Sequence, residues 1–242
     1  MPAAGLCTYP SISEVVELEN FLIIFAKAPI AGMVKTRLFP HLSFEEAAGL
    51  QRALLADMVA KTACLPGIRR CLAYTPERTL DMVQELCFGL PIEYGLQEGE
   101  GLGERMKRSL ACAFGRGAGK AAIIGTDVPT LPPYYLCTAF VKLDEADLVI
   151  GPANDGGYYL IGMKRPIPEL FDGISWSGPG VFGATMEKAR SLGLTVFCLP
   201  PLQDIDTIKD LKGLLGAALP HNTRMVVAGL EPRLRAQMEW LE

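Results

Sequence analysis

"AAIIGTDVP", Ala121 to Pro129, is the stretch on which the reading of the fold turns. An unbroken run of small and β-branched apolar residues ending on Gly125 predicts a strand buried on both faces, the usual state at the centre of a parallel sheet. In open α/β sheets ligands bind beyond the carboxyl ends of the strands, so Asp127 is aimed at that crevice. It is the first candidate for a metal-binding carboxylate. The same Asp, shortly before Pro129, also suits a plain turn, and this stretch alone leaves both readings open.

Working outward, "FLIIFA", Phe21 to Ala26, is a second buried strand, and it runs into "KAPIAGMVKTRL", Lys27 to Leu38. A loop carrying Lys27, Ala28, Pro29, Gly32, Lys35 and Arg37 after a buried first strand is suited to phosphate, through its cations and any open backbone N–H groups. The Lys35-Thr36 pair lacks the spacing of a Walker A motif. Ser43 and Glu46 form a capping-box pattern ahead of a helix from about Phe44 to Ala63. "RCLAYT" reads as a strand, and Pro76 as the first position of a helix through about Leu86. Strands alternating with helices predict an α/β protein, a mostly parallel sheet covered on both faces.

A short strand near Pro91 to Tyr94 leads to "QEGEGLGERM", Gln97 to Met106, whose glycines do not form a dinucleotide fingerprint. They permit close backbone approach to a ligand. Gln97 is a candidate to read a base edge, Gly103 to let the ligand in, and Arg105 to meet a phosphate or to anchor the loop. Beyond the central strand, Thr130 is expected to cap a helix with Pro132 and Pro133 in its first turn. "ADLVIGPA" and "NDGGYYLIGM" read as a strand, a turn and a returning strand, so Asp155 and Gly156 have a structural reason to stand in a hairpin turn. A functional Asp155 would face the same crevice as Asp127. Trp176 is a core anchor or a flat surface for a sugar or base, and Ser177 is expected to cap a helix through Leu192. "LTVFCLP" is the last strand. In "QDIDTIKDL", Asp206 is either the N-cap of the next helix or a second metal carboxylate. A terminal helix is expected over 232–241.

Composition bounds the class. With 242 residues, 50% of them hydrophobic, the chain is long enough to bury a sizeable core as one domain, with 1–19 as an extension and 223–242 as a helical tail. A net charge of -4 argues against a general nucleic-acid or anionic-membrane binder. No apolar run has bilayer length, and the first nineteen residues lack Lys and Arg, so neither a membrane span nor a secretory signal is expected. Seven scattered cysteines without a C-x-x-C pair suggest free thiols in a reducing cytoplasm. With two histidines in the chain, histidine-based mechanisms are improbable.

"FAKAPIAGMVKTRL", "GLGERM", "IGTDVPTL", "GPANDGGYYLIG", "ISWS" and "DIDTIKDL", in that order, resemble the GT-A-type nucleotide-diphospho-sugar transferase superfamily. The resemblance is to its small bacterial glycosyltransferase-like branch, similar to the phospholactate and molybdenum-cofactor guanylyltransferases, and it covers about Phe21 to Leu211. It implies a three-layer α/β/α Rossmann-like GT-A fold and a nucleotide bound by the first loop. It also implies a divalent cation, Mg2+ or Mn2+, on Asp127 and Asp206. Two departures stand out: Gly125 occupies the place of the first acid of the D-x-D motif, and the first loop has a single glycine where relatives have several. Transfer from a nucleotide-activated donor leaves charge on phosphate oxygens, for which Lys27, Lys35 and Arg37 would compensate. Asp127, Asp155 and Lys35 are the candidate catalytic groups, with Asp155, Gly156 and Trp176 on the side of an unidentified small-molecule or glycan acceptor. Three activities fit: glycosyl transfer from a nucleotide sugar, nucleotidyl transfer to a phosphorylated acceptor, and nucleotide binding without turnover.

Overall fold

The computed structural model describes residues 19–39, 41–176 and 178–239. Residues 1–18 of the expected N-terminal extension and the proposed cap Ser177 therefore lie outside the described residues, while Glu19 already belongs to the first strand. Strands β1 (Glu19–Lys27), β2 (Ile68–Thr75), β3 (Glu93–Leu96), β4 (Ala118–Gly125), β5 (Leu148–Pro152), β6 (Tyr158–Met163) and β7 (Val196–Cys198) form one sheet in the order β3-β2-β1-β4-β6-β5-β7. β1 pairs in parallel with β2 and β4, β2 with β3, and β5 with β7. Only β6 runs against its neighbours, β4 and β5, because it alone follows its predecessor through a tight turn.

The apolar runs are buried on both faces. Leu22, Ile24 and Ala26 of β1 belong to one hydrophobic cluster, while Phe21 and Ile23 belong to another on the opposite face. Helix α1 (Phe44–Ala63), α2 (Leu80–Leu86) and α4 (Pro133–Lys142) cover the first; α3 (Gly101–Gly115) and α5 (Val181–Ser191) cover the second. This is the expected three-layer Rossmann-like arrangement. A third cluster joins α1 to α6 (Ile208–Gly213) and α7 (His221–Glu239) and contains Leu38 and Ile205, both with no exposed surface.

Several helix starts differ from expectation. Ser43 and Glu46 do form the capping box of α1. Thr130, however, caps nothing: Pro133 forces Pro132 into an extended conformation, and α4 begins only after it. Pro76 precedes a 3-10 turn, Glu77–Thr79, before α2. The cap of α5 is Gly180. The cap of α6 is Thr207, boxed with Asp210, so Asp206 is released from that duty. The terminal helix begins at His221, well before Pro232, because its start is supplied from a distance. The buried Asp57 of α1 accepts the backbone N–H groups of Asn222 at 3.1 Å and Thr223 at 2.7 Å.

Candidate active site

The carboxyl ends of the parallel strands, Lys27, Thr75, Leu96, Gly125 and Pro152, share one edge of the sheet, and chain order reverses between β1 and β4. A ligand crevice is expected at such a switch point. A cavity of about 470 Å³ opens there, with Lys27, Lys35, Arg37, Gln97, Asp127 and Asp206 in its wall.

Burial of apolar neighbours assembles this wall. Leu38, next to Arg37, and Ile205, next to Asp206, sink into the third cluster, and that common anchorage brings together segments far apart in sequence. Arg37 Nη1 then donates to Asp206 Oδ2 at 2.6 Å. Lys35 takes the left-handed conformation, φ 51°, uncommon for a residue with a side chain. This turns its ammonium inward, where it meets Asp127 Oδ1 at 2.8 Å and the carbonyl of Ile205. The Lys35 side chain is 3% exposed and that of Asp127 47%, so the pair is a buried cation supporting a solvent-facing carboxylate. The Asp127 loop is fixed from three further directions. Its carbonyl accepts Ile205 N–H at 2.9 Å. Gln51 Nε2 donates to Thr126 Oγ1 at 3.2 Å. Lys61 Nζ donates to the carbonyls of Pro129 and Leu131, each at 2.7 Å. Burial pushes the Lys61 ammonium down to about 8, against the opposing charge of Asp57.

A second cavity of about 280 Å³ adjoins the first; both include Leu102, Gly125, Asp127, Tyr158 and Tyr159 in their walls. Asp155, Asp204 and Trp176 line only the second. Asp155 Oδ1 accepts Gly157 N–H at 2.8 Å, the hairpin-turn role anticipated for it, while its side of the turn faces this cavity. Trp176 stacks on Phe171, centroids 5.9 Å apart, and meets Tyr158 edge-on at 6.5 Å, so the core and surface roles coincide. Burial, and then the nearby Asp155, push the Asp204 carboxyl up to about 6.

Other candidates have structural occupations. Gln97 lines the first cavity, but its Nε2 is committed to the carbonyls of Ala73 at 2.7 Å and Ala26 at 3.2 Å, tying β1 to β2. Arg105 anchors its loop by donating to Gly99 O at 3.1 Å. Gly103 makes room for Trp176: a Cβ there would stand 2.0 Å from the indole nitrogen. Gly156 packs its backbone against Pro179, and Gly157 rather than Gly156 lines the second cavity. Ala28 is buried behind the loop, and Gly32, at φ 80°, makes its turn. Pro29 is buried and lines neither cavity. Asp204, Lys61 and Gln51 escaped the sequence reading. For Asp204 there was a signal: in "QDIDTIKDL" it stands two residues before the candidate Asp206, in the same acidic segment after the last strand.

The donor set suits a hard divalent cation. Among the described residues no group of three or more His, Cys, Asp or Glu side chains is placed to hold a metal. Mg2+, however, commonly takes one or two carboxylates and completes its shell with water and substrate phosphates. Asp127 Oδ2 and Asp206 Oδ1 take no hydrogen bond from the described residues, which leaves an oxygen on each carboxylate for such an ion.

The profile of the family described as uncharacterized protein conserved in bacteria, DUF2064, matches residues 58–178. The crystal structure of a candidate nucleotide-diphospho-sugar transferase from Desulfovibrio desulfuricans G20 is 32% identical, with a TM-score of 0.84, over 90% of this chain and 98% of that one. The chain belongs to the DUF2064 family. More distant structures share the fold. The 4-diphosphocytidyl-2C-methyl-D-erythritol synthase of Anaerococcus prevotii DSM 20548 has a TM-score of 0.57 at 10% identity, covering 88% of this chain and 96% of that one. Glucosyl-3-phosphoglycerate synthase of Mycobacterium tuberculosis, in complex with Mn2+, UDP and glucosyl-3-phosphoglycerate, has 0.53 at 14%, covering 90% and 80%. Among curated proteins none matches this chain in sequence. This DUF2064 chain is thus a GT-A-type member of the nucleotide-diphospho-sugar transferase superfamily. No helix among its described residues is long and apolar enough to cross a membrane.

Proposed function

We propose that the protein transfers a glycosyl group from a nucleotide-diphospho-sugar to a small-molecule or glycan acceptor, with Mg2+ or Mn2+ held by Asp127 and Asp206. The observation that carries the reading is the pair of cavities meeting at Asp127: the first holds Lys27, Lys35 and Arg37 beside Asp127 and Asp206, while the second has aspartates and no cation in its wall. The first suits the diphosphate: Lys27 and Arg37 face it, and Lys35 fixes Asp127 from beneath while adding positive charge. When bound, the ion would neutralise charge on the departing diphosphate. The likeness to a candidate nucleotide-diphospho-sugar transferase, and the Mn2+ and UDP of the more distant synthase, support this assignment.

In the transfer, an acceptor oxygen forms a bond to the anomeric carbon. The bond from that carbon to the phosphate oxygen breaks, and its electron pair leaves on the diphosphate. The acceptor's proton passes to a base, and Asp155 in the second cavity is the group assigned to receive it. Nucleotidyl transfer is the second reading, supported by three basic residues in the first loop, which also suit a triphosphate.

The donor separates the two. Incubation with UDP- and GDP-sugars, and separately with GTP and CTP, is expected to release nucleoside diphosphate from a sugar donor and no pyrophosphate from a triphosphate. Asp127→Ala is expected to lower that rate by about a hundredfold or more, in the range set by loss of an electrostatic catalytic group. Pyrophosphate release without diphosphate release would transfer the assignment to the second reading.

A further inference from the structure

The two cavities differ in charge. Lys27, Lys35 and Arg37 balance Asp127 and Asp206 in the first, whereas every charged residue lining the second, Asp127, Asp155 and Asp204, is an aspartate. Asp127 is compensated by Lys35 and is assigned to the ion, but Asp155 and Asp204 have no cation beside them in the lining, so an anionic occupant would be buried against their like charge, which is unfavourable. Asp204 adds an independent observation. The residue is 8% exposed, it lines the cavity, and neither of its carboxylate oxygens takes a hydrogen bond from the described residues; Oδ1 is enclosed by protein, which leaves Oδ2 as the oxygen an occupant can reach. Buried carboxylates in folded proteins nearly always have hydrogen-bond partners, so this side chain lacks a donor that an occupant of the cavity could bring to Oδ2. Tyr158, Tyr159 and Trp176 supply the remaining wall as flat, largely apolar surface. About 280 Å³ lies just below the usual range for drug-sized ligands, which restricts the occupant to one small ring or a short polyol.

We propose that this second cavity is the acceptor compartment and that it selects an uncharged, hydroxyl-bearing acceptor of about one sugar ring, with a hydroxyl donating to Asp204. This rests on the transfer reading and narrows it, since a phosphorylated acceptor, the kind nucleotidyl transfer would use, is disfavoured. The charge contrast makes the Asp204 carboxylate a specificity group for the acceptor, separate from the nucleotide side.

The test is calorimetric titration of the protein, first with UDP and GDP in the presence of Mn2+. The nucleotide-loaded protein is then titrated with matched pairs: glucose and glucose phosphate, glycerol and glycerol phosphate, inositol and inositol phosphate. At least one uncharged compound is expected to bind about tenfold or more tightly than its phosphate ester. Asp204→Asn is expected to weaken that binding about tenfold with nucleotide affinity retained, which also reports an intact fold. Should that variant fail to fold, Asp155→Arg, at an exposed turn, is expected to shift the preference toward the ester. Tighter binding of the esters, binding of none of the pairs, or unchanged preference in the folded variants would overturn this inference alone. Failure of both nucleotides to bind would overturn the transfer reading and this inference with it.

Discussion

Lys35 and Arg37 stand two positions apart in one loop and each meets an aspartate, yet burial gives them different energetic weight. Lys35 is buried and shared between Asp127 and the carbonyl of Ile205, so Lys35→Met would leave that carbonyl without its donor. The expected loss is about 1–3 kcal/mol, read as a fall in the chemical-denaturation midpoint. The Arg37–Asp206 pair is solvent-facing, with the Arg side chain 64% exposed, and Arg37→Ala is expected to cost under about 1 kcal/mol. Its effect should appear in nucleotide affinity instead. Equal stability losses in the two variants would contradict the different roles assigned here. Gly103 is a third case at this scale. Because a methyl there meets the Trp176 ring, Gly103→Ala is expected to cost about 1–3 kcal/mol and to disturb the second cavity. Wild-type stability in that variant would show that the contact relaxes freely. The candidate loop residues were legible in sequence because charge clustered beside glycine is a local pattern. The burial that divides them into support and contact is set by distant residues such as Ile205 and has no local signature.

At the scale of elements, the central strands were legible because each carries a continuous apolar run, the edge strand β3, Glu93–Leu96, was placed two residues early because it has none, and the sheet's one antiparallel member was announced by the Asp-Gly turn before it. Helix starts were legible where the cap is local, as at Ser43, and were misplaced where it is not. The start of α7 depends on Asp57 of α1, which accepts four hydrogen bonds from Asn222 and Thr223. Asp57→Ala is expected to lower stability by about 2 kcal/mol through loss of that cap. Nucleotide binding should persist, because Asp57 lies outside both cavities. Lys61 of the same helix braces the Asp127 loop, and its ammonium loses its proton near pH 8 in the folded chain rather than near 10.5. Between those values the unfolded chain binds more protons, so this group makes stability rise with pH across that window. The stability of wild type relative to Lys61→Met is therefore expected to grow from pH 8 to 10, by roughly 2–3 kcal/mol at most. A difference that is flat or falls over that range would show that the lysine is not held in the environment described.

Across the whole molecule, the fold class was legible from alternation of strand and helix, and the location of the crevice from the carboxyl end of the central strand, where Asp127 follows Gly125. The division of that crevice into two chemically different halves was not. It depends on Asp204, from the segment between β7 and α6, and Trp176, from the connection between β6 and α5, meeting in one wall, a juxtaposition that no spacing along the chain records. The cationic half and the carboxylate pair together constitute the account's central claim, that a nucleotide diphosphate and a divalent ion bind as a unit at Asp127 and Asp206. The most direct measurement is the affinity for UDP and GDP, by calorimetry, with Mn2+ and after chelation, in the wild type and in Asp127→Ala. Mn2+ is expected to tighten binding of one nucleotide by about tenfold or more in the wild type, and the substitution is expected to abolish that enhancement with the fold retained. Equal affinity with and without the ion, or an undiminished Mn2+ effect in the Asp127 variant, would contradict the account.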